Sequence, residues 1–193
     1  MLSDAVLESV RKISEVNVKI GIFGGSFNPI HKGHVFLAQN ILDTGIVDKL
    51  WFVVSPCNPL KEKGILQDDM QRFANVCKAT EHIKNVVVSD VEFHLPKPSY
   101  MYLTLRRLRQ IRPQDELFLI IGADNWLCFD SWKEHDEILN NYKIIIYPRK
   151  GCSIDHKLLP PNVQYLNLPL YDISSTTIRQ MISKGEDISD FVP

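Results

Sequence analysis

Residues 19–22, inside 17–23, form an apolar, β-branched run that ends on Gly24 and Gly25. Such a run, stopped by glycines, predicts a buried strand entering a tight loop. Val35, Phe36, Ala38 and Ile41 then recur at helical spacing and predict a helix over 33–42. The alternation repeats along the chain. A strand is predicted over 50–54, stopped by Ser55 and Pro56, and a helix over 68–79 with Met70, Phe73, Ala74 and Cys77 on one face. Residues 86–88 predict a strand, and 99–111 a basic-faced helix carrying Tyr102, Leu105 and Leu108 at helical spacing. Residues 117–121 predict a strand running into Gly122, Ala123 and Asp124. A short helix over 131–139, a strand over 144–147 and a candidate strand over 163–168 follow. The last helix spans 174–183 and is closed by Gly185, a common helix stop.

Strands alternating with helices predict an α/β fold: an open, doubly wound, mainly parallel sheet with right-handed crossovers. Ligands of such sheets bind beyond the carboxyl ends of the strands, near the switch in strand order. The loops after Phe23, Val54 and Ile121 are therefore where chemistry is expected. No repeat or polar linker interrupts the pattern, and the length of 193 residues suits one domain, 1–193. Residues 1–16, which precede the first strand, are expected to form one short amphipathic helix with Val6, Val10 and Ile13 on its inward face.

Composition narrows the function classes. Apolar residues make up 45% and charged residues 23%, the mix of a soluble globular protein. A net charge of −1 argues against a protein built for non-specific nucleic-acid or anionic-membrane binding. Arg106, Arg107 and Arg109 then read as a solvated helix face. The apolar stretches are too short to cross a bilayer, and 1–16 does not read as a secretory signal. Cys57, Cys77, Cys128 and Cys152 are widely spaced with no CxxC pair, which fits a reduced, cytoplasmic compartment.

Two motifs carry candidate chemistry. The first, Gly24-Gly25-Ser26-Phe27-Asn28-Pro29-Ile30-His31-Lys32-Gly33-His34, lies between the first strand and the first helix. Its glycines let the backbone turn and approach a ligand. The helix beyond offers free N–H groups and the positive end of its dipole to an anion. His31 and His34 at the helix mouth can donate hydrogen bonds to phosphate oxygens, where a phosphorus centre under attack gathers charge. Taken alone, a Gly-Gly pair is often only a turn. A His-x-x-His pair can bind metal, but zinc takes roughly three or four protein ligands and no partner cluster is visible. The second motif is Ile173-Ser174-Ser175-Thr176-Thr177-Ile178-Arg179. Ser174 or Ser175 would cap the last helix, and Arg179 one turn on could fork onto a phosphate. Alone, this would be an ordinary capped helix.

Together the motifs resemble the nucleotidylyltransferase superfamily, with its (H/T)xGH and ISSTxxR signatures, and within it the bacterial nicotinate-nucleotide adenylyltransferases. The likeness runs from Ile20 through nearly the whole chain. Asn58-Pro59-Leu60-Lys61 matches the family's lysine loop, and Pro98-Ser99-Tyr100 with Thr104-Leu105 resembles its SYTxxTL helix. Ile120-Ile121-Gly122-Ala123-Asp124-Asn125, followed by Trp132, resembles its IGADxxxxxxxW stretch. Tyr147-Pro148-Arg149 resembles xRPG, and Phe191-Val192-Pro193 the closing VP.

The resemblance implies transfer of AMP from ATP to nicotinate mononucleotide in NAD biosynthesis, with pyrophosphate released. It assigns Gly24, Gly25, Ser26, Phe27, His31, His34, Asp124, Ser174, Ser175, Thr176 and Arg179 to ATP. It assigns Lys61, Tyr100, Met101, Asp124 and Trp132 to the mononucleotide, with Trp132 stacked on the pyridine ring. His31, His34, Lys61 and Arg179 would be the catalytic set. Mg²⁺ would be bound through ATP phosphates, with no protein metal cage. No nucleic-acid or membrane partner is implied, and a homo-oligomer is left open. Asn28 stands where the family often has Asp, and Met101 where the SYT pattern has Thr. The alternatives are adenylyl transfer to nicotinamide mononucleotide or phosphopantetheine, or a non-catalytic nucleotide-binding protein on the same fold.

Overall fold

The computed structural model describes residues 17–56 and 68–193. The expected helix over 1–16, Cys57 and the whole Asn58–Lys61 loop lie outside the described residues. Among the described residues, six strands form one sheet: β1 (Lys19–Gly25), β2 (Lys49–Val54), β3 (Val86–Ser89), β4 (Glu116–Gly122), β5 (Lys143–Tyr147) and β6 (Val163–Tyr165). Their order is β3-β2-β1-β4-β5-β6, and every neighbouring pair is parallel. The chain leaves β1 toward one edge and returns to its other side at β4. The switch point therefore lies between β1 and β4, where a ligand crevice is expected.

Helices α1 (Lys32–Asp43) and α2 (Asp69–Thr80) cover one face of the sheet, and α3 (Met101–Ile111) covers the other. A single turn, α4 (Ala123–Trp126), follows β4, then α5 (His135–Asn141), and α6 (Ser175–Ser183) closes the chain. The strands are nearly continuous apolar runs because both faces are buried. Alternate residues feed two cores. Ile20, Ile22, Leu119, Ile121, Ile144 and Ile146 pack with Leu105, Leu108 and Ile138 on the α3 and α5 side. Phe23, Leu50, Phe52, Ile120 and Ile145 pack with Ala38, Ile41, Val76 and Ala79 on the α1 and α2 side. Each fully buried Leu or Ile contributes about 1.5–3 kcal/mol.

Three local expectations are corrected. Helix α2 does not bury the Met70 and Ala74 face: Met70 is 62% exposed, and Arg72, Val76, Ala79 and Thr80 point inward instead. The cause is Arg72, fully buried, whose guanidinium donates to the carbonyls of Ser26 and Ser55 and pairs with Asp69 at 2.5 Å. Those bonds turn the helix until the arginine sits under the ends of β1 and β2. The helix expected over 131–139 starts only at His135, and Trp132 is extended, which frees its indole from helical packing. The sixth strand stops at Tyr165 rather than 168.

Candidate active site

The first loop is locked by Phe27. Its φ is 44°, and its ring is buried against Phe23, Phe52 and His34 at centroid distances of 5.6, 5.2 and 5.1 Å. A Cβ on Gly25 would lie 2.9 Å from that ring, so only glycine lets the loop fold back there. His31 is the N-cap residue of α1. Its backbone N–H donates to His34 Nδ1 at 3.2 Å, and the two rings stack at 3.6 Å. Because His34 Nδ1 accepts, a neutral His34 carries its proton on Nε2 as a fixed donor.

His31 is different. Burial first, and the positive charge of Arg149 second, hold its pKa down at about 4. It is a neutral imidazole rather than a cation near neutral pH. Because the native state resists the proton, the unfolded chain binds more protons between about 4 and the ordinary value of 6.5, and stability rises with pH across that window. The span corresponds to about 3 kcal/mol. The denaturant midpoint should therefore fall as pH drops from 6.5 to about 4. His31→Asn, which keeps a capping side chain, should flatten that fall. Parallel curves for the two proteins would show that another group controls acid sensitivity.

The last helix is docked onto the first loop. Ser174 Oγ caps α6 by accepting from the Thr177 N–H at 3.1 Å, as one of the two expected serines should. Ser175 Oγ donates to the Pro29 carbonyl at 3.0 Å. Arg179 donates to the Asn28 carbonyl at 2.8 Å and to Thr176 Oγ1 at 3.0 Å. The two motifs, at opposite ends of the chain, are one structural unit.

Two cavities of about 560 Å³ each open at the carboxyl ends of the strands. The first is walled by Gly24, Gly25, Ser26 and Phe27, by Tyr100 and Met101, and by Trp132. The second is walled by His31, Tyr171, Ser174, Thr176 and Arg179. His34, Asp124, Tyr147, Arg149 and Ser175 line both and mark the seam. All expected site residues within the described part of the chain thus converge here; Lys61 lies outside it. The expected ATP set divides, however. The Gly24–Phe27 stretch faces the same cavity as Tyr100, Met101 and Trp132, because the Phe27 turn aims the loop that way. A larger cavity of about 770 Å³, walled by Asp43, Asp48, His82 and Lys84, sits at the amino ends of the strands and holds none of the motif residues.

Two site residues were not foreseen. Arg149 sits at the seam, its Nε 3.5 Å from Asp124 Oδ1 and its guanidinium 5.2 Å over the Tyr147 ring. Gly122 lies beneath this pair, and a Cβ there would strike the Asp124 carboxylate. Arg149 stood in a recognised motif but drew no role. Glu92, only 2% exposed, also lines the first cavity. Its carboxyl pKa is pushed up by burial, partly countered by hydrogen bonds from Ser55 and Thr104. The one sequence signal for it was an acid between apolar neighbours, Val91 and Phe93.

The cytidylyltransferase-like family model matches residues 22–181, and curated relatives match over most of the chain. The chain belongs to this family, among the nicotinate-nucleotide adenylyltransferases. A "probable nicotinate-nucleotide adenylyltransferase" of Bacteroides fragilis is 48% identical over 90% of this chain and 87% of its own length. One of Bacteroides thetaiotaomicron is 42% identical over 94% and 90%. In fold, this cytidylyltransferase-like chain is similar to Plasmodium falciparum nicotinic acid mononucleotide adenylyltransferase complexed with NaAD, with TM-score 0.79, 23% identity and coverage of 91% and 90%.

Proposed function

We propose that the protein transfers AMP from ATP to nicotinate mononucleotide, giving deamido-NAD and pyrophosphate. The observation that carries this reading is the pair of cavities meeting at His34, Asp124, Arg149 and Ser175. Two nucleotides laid end to end would bring an acceptor phosphate and the α-phosphate of ATP together at that seam. The first cavity takes nicotinate mononucleotide, its pyridine ring between Trp132 and the Tyr100–Met101 wall. The buried Trp132 Nε1 makes no hydrogen bond among the described residues. The first turn of α3 has no side-chain cap and no acidic residue, so its amides suit the nicotinate carboxylate. Lys133, 4.9 Å over the Tyr100 ring, adds positive charge at the same wall. Met101 lies against Gly24 and shapes that end of the cavity by contact rather than by hydrogen bonding.

The second cavity takes the adenosine and the departing phosphates. The acceptor phosphate attacks the α-phosphorus in line, the bond to the bridging oxygen breaks, and pyrophosphate leaves. The attacking oxygen is already anionic, since the second phosphate pKa is about 6, and no general base is needed. His34 Nε2–H and Arg149 donate to the equatorial oxygens as charge gathers on them. Ser175, Thr176 and Arg179 hold the leaving phosphates at the start of α6.

Mg²⁺ would enter as an ion carried by the triphosphate, held mainly by phosphate oxygens and water. Asp124 faces both cavities and would accept hydrogen bonds from the water shell of that ion. Bound there, Mg²⁺ would neutralise charge on the departing phosphates. The test is product identity. ATP, Mg²⁺ and nicotinate mononucleotide should yield deamido-NAD by chromatography and mass. ATP hydrolysis without that product would overturn the reading.

A further inference from the structure

Thr104 belongs to a recognised motif, yet it is fully buried and lines neither cavity. Its Oγ1 donates to Glu92 Oε1 at 2.8 Å, and Ser55 Oγ donates to Glu92 Oε2 at 2.6 Å. Ser55 in turn gives its carbonyl to the buried Arg72 at 2.9 Å and its N–H to the Gly25 carbonyl at 2.8 Å. Arg72 also reaches the Ser26 carbonyl. A continuous buried chain of hydrogen bonds therefore joins α3 to the end of β2, to α2 and to the first loop.

This chain is a costly way to achieve stability alone. Both Glu92 and Arg72 are taken out of water, and apolar residues of similar volume often serve as well. What the carboxylate adds is direction. Each oxygen takes a hydroxyl from a different element, so α3 has one allowed position relative to β2. Thr104 lies one turn beyond Tyr100 and Met101 on the same helix side. A slip of α3 at Thr104 therefore moves Tyr100 and Met101 relative to Trp132 across the cavity. Ser55 and Glu92 line the first cavity and not the second.

We propose that Thr104 and Glu92 are positioning residues that set the width of the nicotinate mononucleotide cavity by fixing α3 to the end of β2. The proposal rests on the functional reading above. It predicts a one-sided defect. Thr104→Val keeps the side-chain shape, removes the donor and leaves a buried carboxylate oxygen unpaired. It should raise KM for nicotinate mononucleotide about tenfold, with KM for ATP within about twofold and kcat within about threefold of wild type. Thr104→Ser, which restores the hydroxyl, should bring KM back to within about twofold.

The experiment is steady-state kinetics of wild type and both variants with each substrate varied, alongside calorimetric titration with each substrate. Equal rises in both KM values, or a lower melting temperature with unchanged KM, would overturn the positioning role. A wild type that binds nicotinate mononucleotide without turning it over would sink the functional reading alone, and the titrations would still decide the positioning claim. A wild type that does neither overturns both.

Discussion

His34→Ala should lower kcat by about 10²–10³-fold while ATP binding changes only a few-fold. His34 faces both cavities, and its Nδ1 is engaged by the His31 N–H at 3.2 Å. The remaining donor is thereby aimed without cost at the moment of reaction. That donor matters most where charge develops on the α-phosphate, so the loss should fall on kcat rather than on ground-state affinity. Single-turnover formation of deamido-NAD, with a parallel ATP titration, separates the two. A kcat within about threefold of wild type would remove His34 from the chemistry. Loss of ATP binding in step with kcat would make it an anchor instead.

The second large effect concerns stability. Arg72→Ala should destabilise the fold by about 3–5 kcal/mol. The substitution strands the carbonyls of Ser26 and Ser55 in a buried site and leaves Asp69 without its 2.5 Å partner. It also opens a cavity under the sheet, because Arg72 is 0% exposed. For a domain of this size, the melting temperature should drop by about 10 °C in a calorimetric scan. A melting point within about 2 °C of wild type would mean that the α2 packing, not the arginine, holds the strand ends together.

The sequence was most legible where period and boundary signals agreed. The strands at 50–54, 117–121 and 144–147 are apolar on both faces and end on turn residues, and the structure keeps each within a residue or two. The α2 face was misread because the apolar period counts only apolar side chains. A buried arginine bonded to two carbonyls breaks that count, and nothing local announces it. The same limit hid Glu92, whose partners Ser55 and Thr104 are distant in sequence and meet only across the sheet edge. Trp132 was legible as a site residue but not as an extended one, since its backbone departs from the helix expected over 131–139. The motif residues, by contrast, needed no packing information. Loops after β1 and β4 and the start of α6 converge because a doubly wound sheet places them at one edge. The two histidines still had to be seen in place to be told apart: His31 is buried and held neutral, while His34 opens onto both cavities.

The most direct test of the whole account is pyrophosphate release from ATP and Mg²⁺ by the purified protein, run in parallel with nicotinate mononucleotide, nicotinamide mononucleotide and 4′-phosphopantetheine. Release should be fast with nicotinate mononucleotide and much slower with the other two, because the uncapped α3 turn and Lys133 favour a carboxylate. Preference for phosphopantetheine, or no release with any acceptor, would contradict it.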